Sequence, residues 1–251
     1  MLVLGACGGE RPELSDKAER TTTTVATSST ESTTTTSPEF APSMVAQADG
    51  ESIDVYDDAT ATAPTGRFDG GQITAAQATS APGIPIVFLV KGTGEEAGRY
   101  EVYLPVRPNG STGWVDAEDV TITSVTYRIR VAIAEHRVRV FEGDQVVLDE
   151  PIGVGKADTP SPGGVYYLKE LLQPPDQTGP YGTYAYGLSG FSNELLSFNG
   201  GEGVIGIHGT NDPSSIGKDV SSGCIRLNNE VINRMVDEIQ LPLGTPVEID
   251  A

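Results

Sequence analysis

The chain has 251 residues, a hydrophobic fraction of 37% and a formal net charge of −19, from 16 basic and 35 acidic residues. This length allows one large domain or two modest ones, and the composition is ordinary for a globular protein. The shortage of lysine and arginine argues against a nucleic-acid partner, because phosphate binding needs concentrated positive charge. Two cysteines are too few for a disulfide scaffold, and no apolar run is long enough to span a membrane.

Residues 1–7 resemble the end of a bacterial lipoprotein signal. Leu4-Gly5-Ala6-Cys7 is similar to a lipobox, in which the cysteine becomes the lipidated first residue of the mature protein. A basic start and a longer apolar core are missing, so we expect a truncated signal. The alternative is an uncleaved start with a buried cysteine. The resemblance predicts a membrane anchor through the lipid on Cys7 and an extracytoplasmic location facing the cell wall.

Residues 8–43 predict a disordered tether. The segment contains "TTTTVATSSTESTTTTSP", which cannot bury enough apolar area to offset the loss of chain entropy on folding. As a flexible coil, a segment of this length spans roughly 35 Å. That reach suits a folded part held away from a membrane surface.

Residues 44–123 predict a small β-barrel. Alternating or β-branched runs are separated by turn signals such as "PNGSTG", and no helical period is visible. The run "YLPVRPNGSTGWVDAEDV" resembles bacterial SH3-like domains, with Gly113-Trp114-Val115 beginning a closing strand. A β-sandwich of another kind is the alternative. No group of chemically active residues stands out, so we expect a positioning or wall-binding role.

Residues 124–251 predict a second, mixed and mostly β domain with few helices. "EGDQ" marks a hairpin turn between "RVRVF" and "VVLDEPI", and "TPVEI" is a last strand. His136 lies in an alternating stretch and is expected to face solvent. "NNEVINRMVDEIQL" places Val231, Ile232, Met235, Val236 and Ile239 on one face of a packing helix, with Asn228 or Asn229 as its cap.

The run "IHGTNDPSSIGKDVSSGCIRL" contains one of two histidines and one of two cysteines in the chain. A cysteine attacks a carbonyl only as a thiolate, so a catalytic Cys224 would need a base, and His208 is the credible one to accept its proton. We expect the pair at the ends of adjacent strands, with His208 lowering the pKa of the thiol. The amides of Gly223 and Cys224 are candidate oxyanion donors.

The third member of such a site is less obvious from the sequence. Asp212 and Asp219 lie in the intervening loop, and the carbonyl of Gly209 is another candidate to orient the imidazole. The alternatives to catalysis are a structural cysteine or a metal site. One histidine and one cysteine are too few ligands for zinc, so we expect no metal and no cofactor.

Together these motifs resemble the YkuD-type L,D-transpeptidase catalytic domain. His208-Gly209-Thr210 and Ser221-Ser222-Gly223-Cys224-Ile225-Arg226 are similar to its signature, with Ser222 where many members have a second histidine. "ADTPSPGGVYYL" resembles the family's Thr-Pro-x-Pro-Gly segment. The resemblance covers about residues 125–251 and implies a mixed, mostly β fold.

The resemblance implies that Cys224 is the nucleophile and His208 the general acid/base of a peptidoglycan L,D-transpeptidase. Its substrates would be tetrapeptide stems, and its products 3→3 cross-links in cell-wall biogenesis and the maintenance of cell shape. Ser221, Ser222, Gly223 and Arg226 would shape the site. The aromatic run Tyr181, Tyr184 and Tyr186 would line the substrate groove, and the alternative is that these tyrosines only pack in the core. Two alternatives remain: an L,D-carboxypeptidase or endopeptidase with the same site, and a non-catalytic wall-binding lipoprotein.

Overall fold

The computed structural model describes residues 41–69, 85–92, 94–198 and 201–250. The predictions for Cys7 and for nearly all of the tether lie outside these residues. Strands dominate the described part of the chain, and helices are few and short, so the predicted mainly β fold class is confirmed. No described helix has both the length and the apolar character needed to cross a bilayer.

The N-terminal β unit lies within residues 43–125, and its described residues form seven strands. Its largest sheet has the order β4-β1-β7, and β2-β3 and β5-β6 are antiparallel pairs. Single bridges join β4 to β5 and β6 to β2, so the strands follow one another around a common core. The strands are β1 Ser43–Ala48, β2 Ser52–Val55, β3 Gly66–Asp69, β4 Val87–Leu89, β5 Arg99–Tyr103, β6 Thr112–Asp116 and β7 Val120–Val125.

Alternation along the strands explains this first core. In β2 the side chains of Ile53 and Val55 point inward, and in β6 the side chain of Val115 is completely buried. Burial of every second residue is the pattern of a strand that faces a core on one side. The turn predicted at "PNGSTG" joins β5 to β6, as expected. A short 3-10 turn, Ala117–Asp119, leads into β7.

The C-terminal β unit comprises residues 127–250, and one sheet of eight strands dominates it. The order of that sheet is β10-β9-β8-β17-β12-β13-β14-β16, and β11 pairs separately with β15. The strands are β8 Tyr127–Ala132, β9 Arg137–Glu142, β10 Gln145–Pro151, β11 Val154–Gly155, β12 Gly164–Leu172, β13 Ala185–Phe191, β14 Val204–His208, β15 Asp219–Ser221, β16 Ile225–Arg226 and β17 Pro246–Asp250.

The predicted packing helix is present in this unit. Helix α1 spans Asn229–Asn233 and continues as a π-helical stretch over Arg234–Glu238. Its buried residues are Val231, Ile232 and Met235, which pack into the main core. The hairpin at "EGDQ" and the last strand are also confirmed. A second short 3-10 turn, Pro213–Ser215, lies between β14 and β15.

The two β units share a small apolar cluster. Tyr167 on β12 is completely buried among Val45, Val87, Leu89 and Val125 of the N-terminal unit. Only residue 126 separates β7 from β8, so no linker stands between the units at this point. Since cores resist changes in packing, this cluster fixes how the two units meet.

Candidate active site

Two parallel neighbouring strands carry the predicted pair. Strand β14 ends at His208, and β16 begins directly after Cys224. Ile207 pairs with Ile225 on the next strand, and both side chains are completely buried in the core. His208 pairs in the same way with Arg226. Because side chains alternate along a strand, Cys224, His208 and Arg226 share the opposite face.

A backbone carbonyl orients the imidazole of His208. Nδ1 lies 2.5 Å from the carbonyl oxygen of Gly209, and the side chain is only 4% exposed. A carbonyl oxygen can only accept, so Nδ1 donates its proton and Nε2 keeps a free lone pair. This tautomer is the one that a general base requires. Gly209 therefore makes the contact that its predicted role requires.

The Gly209 backbone is fixed in turn by Asn229. The Asn229 side-chain oxygen accepts a hydrogen bond from the Thr210 amide at 3.0 Å. A side chain at either Gly182 or Gly209 would collide with that same oxygen, so both positions need glycine. Asn229 does not cap α1: Asn228 is the N-cap residue, without a side-chain cap hydrogen bond. Of the two predicted cap residues, Asn228 is therefore the one at the cap position, and Asn229 is not.

A tight turn presents Cys224. The Ser221 hydroxyl accepts a hydrogen bond from the Gly223 amide at 3.1 Å and donates one to the Cys224 carbonyl at 2.5 Å. Gly223 has a φ of +113°, a conformation that residues with a side chain rarely adopt. The predicted oxyanion role of the Gly223 amide is contradicted, because Ser221 already occupies that donor. The Cys224 amide is left as the candidate oxyanion donor. Ser222, which precedes Gly223 in the same turn, is half-buried.

Burial keeps both reacting groups neutral at rest. It lowers the pKa of His208 to about 4, against the opposing effect of the Gly209 carbonyl and with a smaller contribution from Arg226. It also raises the pKa of the Cys224 thiol, although a hydrogen bond with the Gly206 backbone and the Arg226 charge oppose this. The expectation that His208 lowers the thiol pKa is therefore not met. The arrangement favours proton transfer during attack rather than a preformed thiolate.

Arg226 supplies the positive charge of the site. Within the described residues its Nε is buried and has no hydrogen-bond partner. Its charge lowers the pKa values of both His208 and Cys224, which places it close to the two. A buried donor without a partner is costly, and a ligand oxygen would satisfy it.

The other predicted loop candidates do not contact His208. Asp212 accepts hydrogen bonds from the amide and hydroxyl of Ser214. Asp219 makes a hydrogen bond with Nε2 of His136 at 2.7 Å. His136 is half-buried, whereas the sequence predicted that it faces solvent. Neither aspartate is the third member of a triad here. Within the described part of the chain, no group of three or more His, Cys, Asp or Glu residues could hold a metal ion.

The predicted aromatic groove is only partly supported. Tyr186 is 1% exposed, and its hydroxyl bonds to the Leu241 carbonyl, so its assignment to substrate binding is wrong. The hydroxyl of Tyr184 meets Asp237 at 3.2 Å, which leaves its substrate role a prediction. Tyr181 packs its ring edge-on against the His208 ring, with centroids 5.0 Å apart. It is the tyrosine that contacts the site.

Comparison with known proteins identifies one family. The sequence model of the YkuD L,D-transpeptidase catalytic domain matches residues 126–249. The YkuD protein of Bacillus licheniformis is 37% identical over 126 residues, which are 50% of this chain and 67% of that protein. The YkuD protein of Bacillus subtilis is 35% identical over 127 residues, which are 51% of this chain and 68% of that protein.

A solved structure gives a weaker likeness. The structure of Bdellovibrio bacteriovorus Bd1075 is 28% identical, covers 50% of this chain and 48% of that chain, and has a TM-score of 0.39. That score is low, and no conclusion about this chain rests on it. The family match and the two Bacillus relatives decide the matter. The chain belongs to the YkuD family of L,D-transpeptidase catalytic domains.

Proposed function

We propose that the chain is a peptidoglycan L,D-transpeptidase that forms 3→3 cross-links between stem peptides through an acyl-enzyme on Cys224. The observation that carries this proposal is the shared face of β14 and β16. That face holds a thiol, a neutral imidazole whose Nε2 is unprotonated, and a guanidinium whose Nε is buried. The membership of the YkuD family supports the same chemistry.

In the first half-reaction Cys224 attacks the carbonyl carbon of the third residue of a tetrapeptide stem. The thiol proton passes to His208 Nε2 as the sulfur–carbon bond forms. His208 then returns this proton to the nitrogen of the terminal D-alanine, because an amine leaves poorly without one. The carbon–nitrogen bond breaks, D-alanine departs, and a thioester remains on Cys224.

In the second half-reaction an amine of a neighbouring stem attacks the thioester. His208 takes a proton from the attacking amine and gives it to the departing sulfur, which restores the thiol. The new amide bond is the cross-link. If water took the place of the amine, the same site would act as an L,D-carboxypeptidase or endopeptidase, so the nature of the acceptor decides the outcome.

We assign Arg226 to the recognition of substrate. Its partnerless Nε and its charge beside Cys224 suit a carboxylate or carbonyl oxygen of the stem. Ser221 acts by holding the Cys224 turn, and Tyr181 by covering one side of the His208 ring. Replacement by lysine keeps the charge and loses the planar donor array, so Arg226→Lys should raise KM while Cys224 still becomes acylated.

Intact-protein mass spectrometry with a synthetic tetrapeptide stem tests the proposal. The wild type should gain the mass of the stem without its terminal D-alanine, and Cys224→Ser should gain nothing. A second stem should then release the adduct as a cross-linked dimer, identified by fragmentation. Release only as free tripeptide would favour the hydrolase, and an adduct on Cys224→Ser would refute the assignment of the nucleophile.

We further propose that the protein is a lipoprotein anchored through Cys7 outside the cytoplasmic membrane, facing the cell wall. The lipobox-like Leu4-Gly5-Ala6-Cys7 and the Thr/Ser-rich segment after it support this. The N-terminal β unit would act as an SH3-like module that positions the catalytic unit. Cys7→Ala should move the protein from the membrane fraction to the medium. Unchanged fractionation would refute the anchor.

A further inference from the structure

Two side chains of the N-terminal β unit hold a backbone segment of the C-terminal unit. Arg107 lies in the loop between β5 and β6, and its guanidinium donates to the carbonyls of Ser192 at 2.7 Å, Leu195 at 3.0 Å and Glu202 at 2.9 Å. The same guanidinium lies 4.8 Å from the centre of the Phe191 ring. Three carbonyls from both ends of one connection therefore converge on a single arginine.

Asn109 adds a second contact from the same loop. Its side-chain nitrogen donates to the Phe191 carbonyl at 2.8 Å, and its side-chain oxygen accepts from the Phe191 amide at 2.9 Å. The amide group thus pairs with both polar backbone groups of one residue, as a neighbouring strand would. Phe191 is the last residue of β13, so Asn109 completes the edge of that strand. We call these two residues the Arg107/Asn109 clamp.

The clamped connection between β13 and β14, which the structure describes over residues 192–198 and 201–203, leads directly to the catalytic strand. Ser192 donates its amide hydrogen to the Gly203 carbonyl at 2.8 Å, which joins the two ends of the connection. Residue 204 begins β14, and β14 carries both Gly206, whose backbone hydrogen-bonds Cys224, and His208. A displacement at residues 202–203 would therefore be transmitted along one short strand to the two groups that act on the thiol.

One residue of the connection, Ser192, lies near the turn that presents the nucleophile. A Cβ at Gly223 would lie 3.9 Å from the Ser192 hydroxyl and 3.7 Å from a methyl group of Ile205. Ser192 is itself almost completely buried, and its hydroxyl accepts from the amides of Glu194 and Leu195. Arg107 thus holds the backbone carbonyl of Ser192, the residue whose own hydroxyl lies near the turn that presents Cys224.

We propose that Arg107 and Asn109 are positioning residues for acyl transfer, acting from the N-terminal β unit through the 192–203 connection. The clamp sets the position of β14 relative to β16, and with it the alignment of His208 and Gly206 with Cys224. The proposal rests on the proposed function in one respect, that Cys224 is the nucleophile. The N-terminal unit would then help to align the catalytic residues for acyl transfer, in addition to any binding of cell-wall material.

Arg99 offers a matched control. It also donates to three backbone carbonyls, those of Asp58, Ala59 and Ala61, and its guanidinium lies over the Tyr56 ring. All of these partners belong to the N-terminal unit. Arg99 also forms an ion pair with Asp116 at 2.7 Å, which is another residue of the N-terminal unit. Arg99→Ala therefore removes these carbonyl and ring contacts and an ion pair as well, whereas Arg107→Ala removes contacts to the C-terminal unit.

The test measures two reactions of Cys224 in the full chain, well below the melting temperature of each variant. The first is the acylation rate at saturating tetrapeptide stem, and the second is the midpoint pH of alkylation by iodoacetamide. Arg107→Ala and Asn109→Ala should lower the acylation rate roughly 10- to 100-fold through misalignment, with a smaller change in KM. Arg107→Lys should recover part of the rate. Arg99→Ala should stay within about twofold of wild type, since its contacts lie outside the reacting geometry.

The outcomes separate this proposal from the proposed function. If the wild type is not acylated, the proposed function fails, and the clamp is then judged by the alkylation midpoint alone. That midpoint should shift in Arg107→Ala and not in Arg99→Ala. If Arg107→Ala does not fold, the same two measurements on Asn109→Ala and Arg107→Lys test the proposal. Folded clamp variants that match wild type or Arg99→Ala in both reactions would overturn the proposal.

Discussion

Burial of the catalytic imidazole should make the protein lose stability as the pH falls below neutrality. His208 is 4% exposed, and its pKa is lowered from 6.5 to about 4 by burial. Above pH 6.5 the side chain is neutral in both the folded and the unfolded chain, so it contributes no pH dependence. Between pH 6.5 and pH 4 the imidazole is protonated in the unfolded chain and stays neutral in the folded chain. The free energy of unfolding therefore decreases as the pH falls through this range.

The size of the effect follows from the same pKa difference. One pKa step corresponds to about 1.4 kcal/mol, so lowering the pKa from 6.5 to about 4 costs about 3 kcal/mol once the titration is complete. By pH 5 the linkage relation gives a loss of about 2 kcal/mol. The loss should level off below pH 4, where the folded protein also takes up the proton.

The assay is urea unfolding at several pH values, followed by circular dichroism, for wild type and His208→Gln. The variant cannot titrate at this position, so its free energy of unfolding should fall less between pH 7 and pH 5 by about 2 kcal/mol. The chain has one other histidine, His136, and His136→Gln serves as the control. Equal slopes for wild type and His208→Gln over this range would refute the buried, neutral imidazole.

Three further predictions concern the site. Alkylation of Cys224 should be half-maximal above the ordinary thiol value of about pH 8.5, because burial raises its pKa; a midpoint below that value would indicate a preformed thiolate. Gly223→Ala has room for its methyl group, because the nearest atom would lie 3.6 Å away. We expect the variant to lose about 1–2 kcal/mol of the free energy of unfolding through the strained φ of +113°. Urea unfolding that shows no loss of stability would contradict this. Asn229→Ala leaves the Thr210 amide without its acceptor and should cost about 1–3 kcal/mol, whereas Asn229→Asp keeps an acceptor and should cost less; equal melting temperatures for the two variants would disprove that role.

Patterns that repeat along the chain were readable before the structure. The period of two in "RVRVF" and "VVLDEPI" predicted β9 and β10, and the glycine of "EGDQ" predicted the turn between them. The spacing of Val231, Ile232 and Met235 predicted the buried face of the helix. The chemistry of a thiol and an imidazole separated by a polar loop predicted two neighbouring strand ends, and β14 and β16 are such a pair.

Features that depend on strand register or on contacts with distant backbone could not be predicted from the sequence. Tyr184 and Tyr186 look alike in the sequence, and only the pairing of β13 with β14 shows that Tyr186 lies in the core. Asn229 stands where a helix cap is expected, so local preference hid its bond to Thr210. Arg107 binds carbonyl groups 85 or more residues away, and since every residue has a carbonyl, no sequence pattern marks these acceptors.

The helix beside the site lacks stabilising interactions at its ends, and this has a kinetic consequence. Its N-cap residue Asn228 makes no side-chain cap bond, and after five residues the winding changes to the less favourable π form. Such a segment depends on its buried face more than on its ends, so its amides should exchange with deuterium sooner than those of the central strands on which it packs. Because Asn229 belongs to this helix and holds Thr210, each local opening would also release the backbone next to the imidazole. Brief excursions of α1, without any unfolding of the sheet, would then interrupt turnover.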